Sequence, residues 1–201
     1  MAGPLAGTTV LDLTTVVMGP FATQILGDLG ARVIKVEAPG GDNVRHVGPM
    51  RNRGMGHMFL HLNRNKKSVV INLKTAEGKQ QIEALIRTGD VVVENFRPGT
   101  MKRLGLDYER LVELNPRIVY AAISAFGATG ARSNKQGLDV VLQAMSGLMS
   151  ITGEPDRDPL PAGAPVADIL SGVVGALGIV MAVIARNRSG QAQKVELGML
   201  D

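Results

Sequence analysis

Asp168 is the carboxylate in this sequence best placed to do chemistry. It follows the proline- and glycine-rich segment Pro161–Pro165 and precedes the apolar run 169–185. That setting puts it at or near the amino terminus of a helix, where free backbone N–H groups and the helix dipole favour the ionised form. An ionised carboxylate with little steric cover is competent as a nucleophile and can carry an acyl group covalently. The same position also suits a plain N-capping aspartate.

The second feature is a run of charge of one sign. Residues 43–76 hold no Asp or Glu but carry Arg45, Arg51, Arg53, Arg64, Lys66, Lys67 and Lys74, together with His46, His57 and His61. Such a stretch suits a polyanion such as a nucleotide phosphate, because Arg and Lys make charge-assisted hydrogen bonds to phosphate oxygens. A solvated cationic loop with no ligand is the plainer alternative. Nucleic acid fits less well: the basic charge is confined to one stretch, no binding module is recognisable, and six aromatic residues provide little to stack bases on. His57 and His61 have the i, i+4 spacing of a helical metal pair, but no Glu stands beside the first and no carboxylate is near to complete a site, so zinc is disfavoured. The first βα turn, Val16-Val17-Met18-Gly19-Pro20, is not G-x-G-x-x-G, and no P-loop occurs.

These residues need a scaffold, and the apolar pattern describes one. Strands are expected at Thr8–Leu13, Arg32–Glu37, Ser68–Leu73, Val91–Glu94, Ile118–Ser124 and Gln193–Leu197. Helices are expected over Phe21–Leu29, closed by Gly30, and from Thr75 as cap to Arg87, stopped by Gly89. Further helices are expected over Tyr108–Leu114 and Gly137–Met149, and from Asp168 to near Asn187. Alternation of this kind implies an α/β fold: a Rossmann-like open, mostly parallel sheet with helices on both faces. The run 169–185 falls at the lower edge of membrane-spanning length. Gly172, Gly175 and Gly178 argue instead for a buried helix packed closely on other backbone, so no membrane partner is expected.

With 201 residues, 45% hydrophobic and 20% charged, the chain can build a sizeable core. The absence of cysteine excludes a disulfide scaffold, a thiolate metal site and a cysteine nucleophile. With no basic, apolar leader at the amino terminus, cytoplasmic localisation is the default expectation.

Several short segments, in order and spacing, resemble the class III CoA-transferases. They are Leu11-Asp12-Leu13, Gly19-Pro20-Phe21-Ala22, Asp28 to Glu37, Gly41-Asp42, Asn65-Lys66-Lys67-Ser68, Val93 to Gly99 and Leu114-Asn115-Pro116-Arg117. The resemblance implies that Asp168 is the catalytic nucleophile, forming an aspartyl–acyl anhydride and then an aspartyl-CoA thioester. It implies that Val16, Lys74, Asn95, Phe96, Arg103 and Met199 contact coenzyme A, that no metal takes part, and that the partners are an acyl-CoA and a carboxylic acid. It further implies an interlocked homodimer. Val17, Leu138 and Ala38 depart from the glutamine, tyrosine and arginine of the formyl-CoA transferase branch, which argues against formate or oxalate specificity. Leucine at 138 cannot exchange a proton, which argues against the racemase branch. Members are about twice this length. Residues 1–201 are thus read as the CoA-binding portion of the large domain, with a smaller domain and a returning carboxy-terminal segment outside this chain. A truncated, non-catalytic CoA-binding or interaction module is the alternative reading.

Overall fold

The computed structural model describes residues 2–201. Its six strands are β1 (Thr9–Asp12), β2 (Arg32–Glu37), β3 (Lys66–Val70), β4 (Val91–Glu94), β5 (Val119–Ser124) and β6 (Gln193–Gly198). They form one sheet in the order β3-β2-β1-β4-β5-β6, with every neighbouring pair parallel. The helices are α1 (Met18–Asp28), α2 (His57–Leu62), α3 (Ala76–Thr88), α4 (Thr100–Leu104), α5 (Tyr108–Leu114), α6 (Asp139–Met145) and α7 (Val166–Ser189).

Period-two alternation sorts the strands between two cores. Val10, Val33, Val91, Val93, Ala121 and Ile123 face α1 and α7 through Ala22, Leu26, Ala176, Ile179 and Val183. Leu11, Leu13, Val92, Ile118 and Tyr120 face the other way, onto Ile82 and Ile86 of α3, Met101 of α4 and Leu111 and Leu114 of α5. Glycine lets α7 approach: a Cβ on Gly172 would lie 2.9 Å from the Met18 carbonyl oxygen, and one on Gly175 2.9 Å from Ile123. Helix α7 is nevertheless only half buried. Gly172, Ala176, Ile179 and Val183 face the core, whereas Leu170, Val173, Leu177, Met181 and Ile184 are exposed. Composition gave no sign of this, because an all-round apolar helix does not reveal which of its faces this chain covers.

The structure corrects three local expectations. The stretch 137–149 is not one helix: α6 stops at Met145, Gly147 turns left-handed at φ 83°, and a short 3-10 helix follows over Leu148–Ile151. Helices α2 and α4 were not foreseen, each being too short to display a period. The cationic run 43–76 is partly opposed, three of its seven Arg and Lys residues meeting carboxylates distant in sequence. Arg45 pairs with Glu37 at 2.6 Å, Lys66 with Asp12 at 2.9 Å and Arg64 with Asp28.

At the carboxyl ends of β1 and β2 these pairs become a buried chain of charge. Asp12 lies opposite Lys35 in the sheet register and is wholly buried. Its Oδ2 accepts from Lys66 Nζ at 2.9 Å and from Thr23 Oγ1 at 2.7 Å, and its Oδ1 accepts from the Thr14 amide at 2.9 Å. Lys66 also donates to the Pro20 carbonyl and to Asn63 Oδ1. Burial by itself pushes the Asp12 carboxyl up, but the ammonium groups of Lys66 and Lys35 and the hydrogen bonds from Lys66 and Thr14 outweigh it and hold the group at about 2. Glu37 is likewise held at about 2, where burial is outweighed by hydrogen bonds from Arg45, Ser68 and the Asp42 amide and by the Arg45 charge.

Because both folded-state values lie below the unfolded ones, the stability these groups contribute is present above the ordinary carboxylate range and lost as pH falls towards 2. The part of the unfolding free energy that these two groups supply should therefore be flat above about pH 5 and fall steeply below about pH 4, read by urea unfolding across that range. Asp12→Asn leaves Lys66 buried without its counter-charge and should cost about 3–5 kcal/mol. Asp12→Asn/Lys66→Met should recover most of that loss, and a double variant as unstable as the single one would show that the pair's charges are not what matters.

Candidate functional site

The sheet order reverses at β1 and β4. The connection from β1 returns through α1 on one face, and the connection from β3 crosses through α3 on the other. The loops leaving β1 and β4 therefore splay apart above the carboxyl ends of the strands, the place where open α/β sheets bind ligands. A cleft of ≈ 360 Å³ opens there, and Asp168 lines it.

The β1–α1 turn forms one wall through Thr15, Val16, Val17 and Met18. It is held by side chains from elsewhere. Asn95 accepts from the Thr15 amide at 2.9 Å and donates to the Thr15 carbonyl at 2.8 Å. Val16 sits at φ 72°, which a β-branched residue adopts only under external restraint, at a cost of about 1–3 kcal/mol. Gly19 underlies the turn, where a Cβ would fall 2.4 Å from Thr14. The β4–α4 loop supplies Asn95, Phe96, Arg97 and Pro98. Phe96 is positioned from below: its amide donates to Glu94 Oε2 at 2.7 Å, and the Tyr120 hydroxyl donates to Glu94 Oε1 at 2.7 Å. Burial raises the Glu94 carboxyl despite these two bonds, and burial together with Glu94 raises the Tyr120 hydroxyl.

Asp168 lies in the first turn of α7, but it is not the cap. Pro165 occupies the N-cap position and offers no side-chain hydrogen bond. The Asp168 amide donates instead to Asp139 Oδ1 at 3.0 Å. Contrary to the effect expected of a helix amino terminus, burial first and the Asp139 carboxylate second raise the Asp168 carboxyl to about 6. Asp139 and the buried Gln143 were missed from sequence. Gln143 Nε2 donates to Asp139 Oδ2, and its Oε1 accepts from the Ala162 amide at 2.8 Å. Together they tie α6 to the loop before α7 and aim Asp168 into the cleft. The one trace of this in the sequence is the i, i+4 pair Asp139–Gln143.

Of the residues expected to contact coenzyme A, Val16, Asn95, Phe96 and Met199 share the cleft with Asp168. Lys74 is exposed on an adjoining cleft of ≈ 240 Å³, bounded by Leu73, Thr100 and Leu104. Arg103 is exposed on α4 and donates to Thr100 Oγ1 at 2.7 Å. A third cleft of ≈ 250 Å³ lies beside Tyr108, Tyr120 and Lys194. Phe96 borders all three, so the openings adjoin around its ring. The Asn95 amide, expected to face a ligand, is engaged with Thr15 on both its oxygen and its nitrogen. It keeps one N–H and one lone pair for anything else. Leu138 is exposed at the rim of the Asp168 cleft, and Ala38 borders the Lys74 cleft. His57 and His61 lie on α2, and among the described residues no group of three or more metal-ligating side chains gathers.

The comparison with known proteins agrees with this fold. The model of CoA-transferase family III matches residues 5–201. The chain is 45% identical over 205 residues to succinate–glutarate CoA-transferase of Agrobacterium fabrum, covering 98% of this chain and 51% of that protein. It is 44% identical over 201 residues to acetyl-CoA:oxalate CoA-transferase of Acetobacter aceti, covering 99% of this chain and 51% of that protein. A CAIB/BAIF family protein from Brucella suis superposes with a TM-score of 0.96 at 40% identity, over all of this chain and 54% of that one. The chain thus spans about half the length of the curated relatives it matches. With a Rossmann-order sheet, a carboxylate-bearing cleft at its switch point and a family match from residue 5 to the last residue, the chain belongs to CoA-transferase family III.

Proposed function

We propose that this chain carries the nucleophile and the CoA-binding face of an acyl-CoA:carboxylate CoA-transferase, with Asp168 as the attacking group. The observation that carries the reading is the half-buried Asp168 lining the switch-point cleft together with Val16, Asn95, Phe96 and Met199. The names of the two curated relatives support transfer of CoA between carboxylic acids. Arg97 and Lys135 line the same cleft and pair with no carboxylate among the described residues, which suits a carboxylate-bearing substrate. Lys74 and Arg103, exposed beside the adjoining cleft, supply positive charge for the phosphates of coenzyme A.

The chemistry follows from one carboxylate with raised basicity. Asp168 Oδ attacks the thioester carbonyl, a C–O bond forms as the C–S bond breaks, and the electron pair leaves on the CoA thiolate. The Asp168 carbonyl of the resulting mixed anhydride then accepts that thiolate and releases the first acid as its carboxylate. The aspartyl-CoA thioester is resolved by the acceptor carboxylate, which expels the thiolate again and forms a second anhydride. Attack of the thiolate on the acceptor's acyl carbon yields the new acyl-CoA and returns Asp168 as a carboxylate. No water and no net proton enter the cycle. A homodimer, and acid selection by residues beyond this chain, complete the proposal for the whole protein.

Mixing the 201-residue chain with a panel of acyl-CoA thioesters, trapping with hydroxylamine and mapping the product by mass spectrometry should place a hydroxamate on Asp168. Asp168→Asn should give none while calorimetry still records CoA binding. A hydroxamate elsewhere, or an undiminished yield from Asp168→Asn, would refute the nucleophile. Binding of CoA without any adduct would assign the chain as a CoA-binding module.

Trapping should also fade as pH falls through about 6, because the attacking species is the carboxylate. The same raised value has a stability consequence of known sign. A carboxyl whose folded pKa lies above its unfolded 3.8 stabilises the fold only while protonated, and that contribution is lost as pH rises through about 6. Asp168→Asn should therefore be more stable than the parent at pH 8 by about 1–2 kcal/mol, after discounting for partial solvent exposure, with the gap closing towards pH 4. Urea titrations at the two pH values check this.

A further inference from the structure

The buried carboxylate of Asp42 belongs neither to the nucleophile nor to any residue that the resemblance ties to coenzyme A. Its partners nonetheless lead to the cleft. Asp42 precedes the short 3-10 helix Asn43–His46, and its Oδ1 accepts from the Val44 amide at 3.2 Å and from the Val16 amide at 3.3 Å. Its Oδ2 lies 3.0 Å from Lys35 Nζ as an ion pair without hydrogen-bond alignment, and both side chains are essentially inaccessible to solvent. Lys35 Nζ in turn donates to the Thr14 carbonyl at 2.8 Å. Lys35 thus holds the peptide oxygen before Thr15, Asn95 holds both backbone groups of Thr15, and Asp42 holds the amide of Val16, the residue forced to φ 72°.

We infer that Asp42 is a positioning residue. By accepting the Val16 amide while anchored to Lys35, it keeps the β1–α1 turn in its left-handed conformation and so fixes the wall of the cleft shared with Asp168. A residue in this region of backbone space persists only when its surroundings over-determine it, and such positions cluster at functional sites. The alternative is that Asp42 and Lys35 are merely a buried ion pair serving stability. The two differ in what they require: stability needs both charges or neither, whereas positioning needs an acceptor oxygen at the Val16 amide. The catalytic part of this inference rests on Asp168 being the nucleophile, and the conformational part does not.

Two double variants separate the roles, because each removes both charges. Asp42→Leu/Lys35→Met abolishes the acceptor, and Asp42→Asn/Lys35→Met keeps it. With Leu/Met, hydrogen exchange at the Val16 amide, read by NMR, should be about tenfold faster or more. Hydroxylamine-trapped adduct at saturating acyl-CoA should form about tenfold to a hundredfold more slowly, the scale set by small misplacements at a reacting centre. The acyl-CoA concentration for half-maximal rate should rise by less than the rate falls, because Val16 shifts but the cations Lys74 and Arg103 are untouched. With Asn/Met, most of the rate and of the exchange protection should return. A Leu/Met chain matching the parent in both readouts, or an Asn/Met chain as slow as Leu/Met, overturns the inference. If Leu/Met does not fold, Asp42→Ala/Lys35→Met takes its place as the pair without an acceptor, and the same outcomes in exchange and rate, set against Asn/Met, decide. If the parent itself forms no adduct, the chain is a CoA-binding module and the catalytic part of the inference falls with the proposed function, while the exchange arm still decides what Asp42 does.

Discussion

The rest of the structure depends on the pairing of Asp12 with Lys66, continued through Lys35 to Asp42, beneath the carboxyl ends of the first two strands. Four charges without solvent are tolerable only if each meets an opposite charge and most of its remaining donors or acceptors are filled. Here the filling is done by the groups that must be placed for a site to exist: the Thr14 amide and carbonyl, the Val16 amide, the Pro20 carbonyl and the Thr23 hydroxyl. Satisfying the charges and shaping the β1–α1 turn are one event. A hydrophobic replacement would fill the same volume but would specify no position for the turn.

Around that anchor, the parallel sheet supplies a crevice and the helices supply its contents. Strand order reverses at β1 and β4, so the backbone opens where Asn95 bridges the two loops. Asp168 comes to the opening from far along the chain, on a helix that glycine allows to lie close against α1. Its carboxyl is destabilised as an anion by burial and by Asp139. That is unfavourable for folding at neutral pH, but it leaves a more basic and weakly solvated oxygen in the cleft, in the way functional sites commonly oppose stability.

Much of the scaffold is legible in the amino-acid order. β2, β4 and α5 fall on the expected residues, and the capping of α3 by Thr75 is visible in the sequence and is made, with the Gly78 amide donating to its hydroxyl at 3.0 Å. These features are governed by neighbours a few residues apart: a β-branched run, a capping hydroxyl, a glycine stop. The signal fails where length or distance intervenes. The five-residue α4 is too short to show a period. The cationic run looks unopposed because Asp12, Asp28 and Glu37, which answer it, lie outside the stretch.

The sequence by itself determined the fold class, the strand inventory, the family and Asp168 as the carboxylate to watch, because each rests on local pattern or on ordered short motifs. Only the tertiary structure decided which cations remain free, that Asn95 holds the β1–α1 turn, and that burial first and Asp139 second raise the Asp168 carboxyl. The physical reason is the same in each case. Charge pairing, desolvation and backbone restraint are set by atoms within a few ångströms in space, and at this site those atoms come from residues as far apart as Thr15 and Asn95, or Asp139 and Asp168.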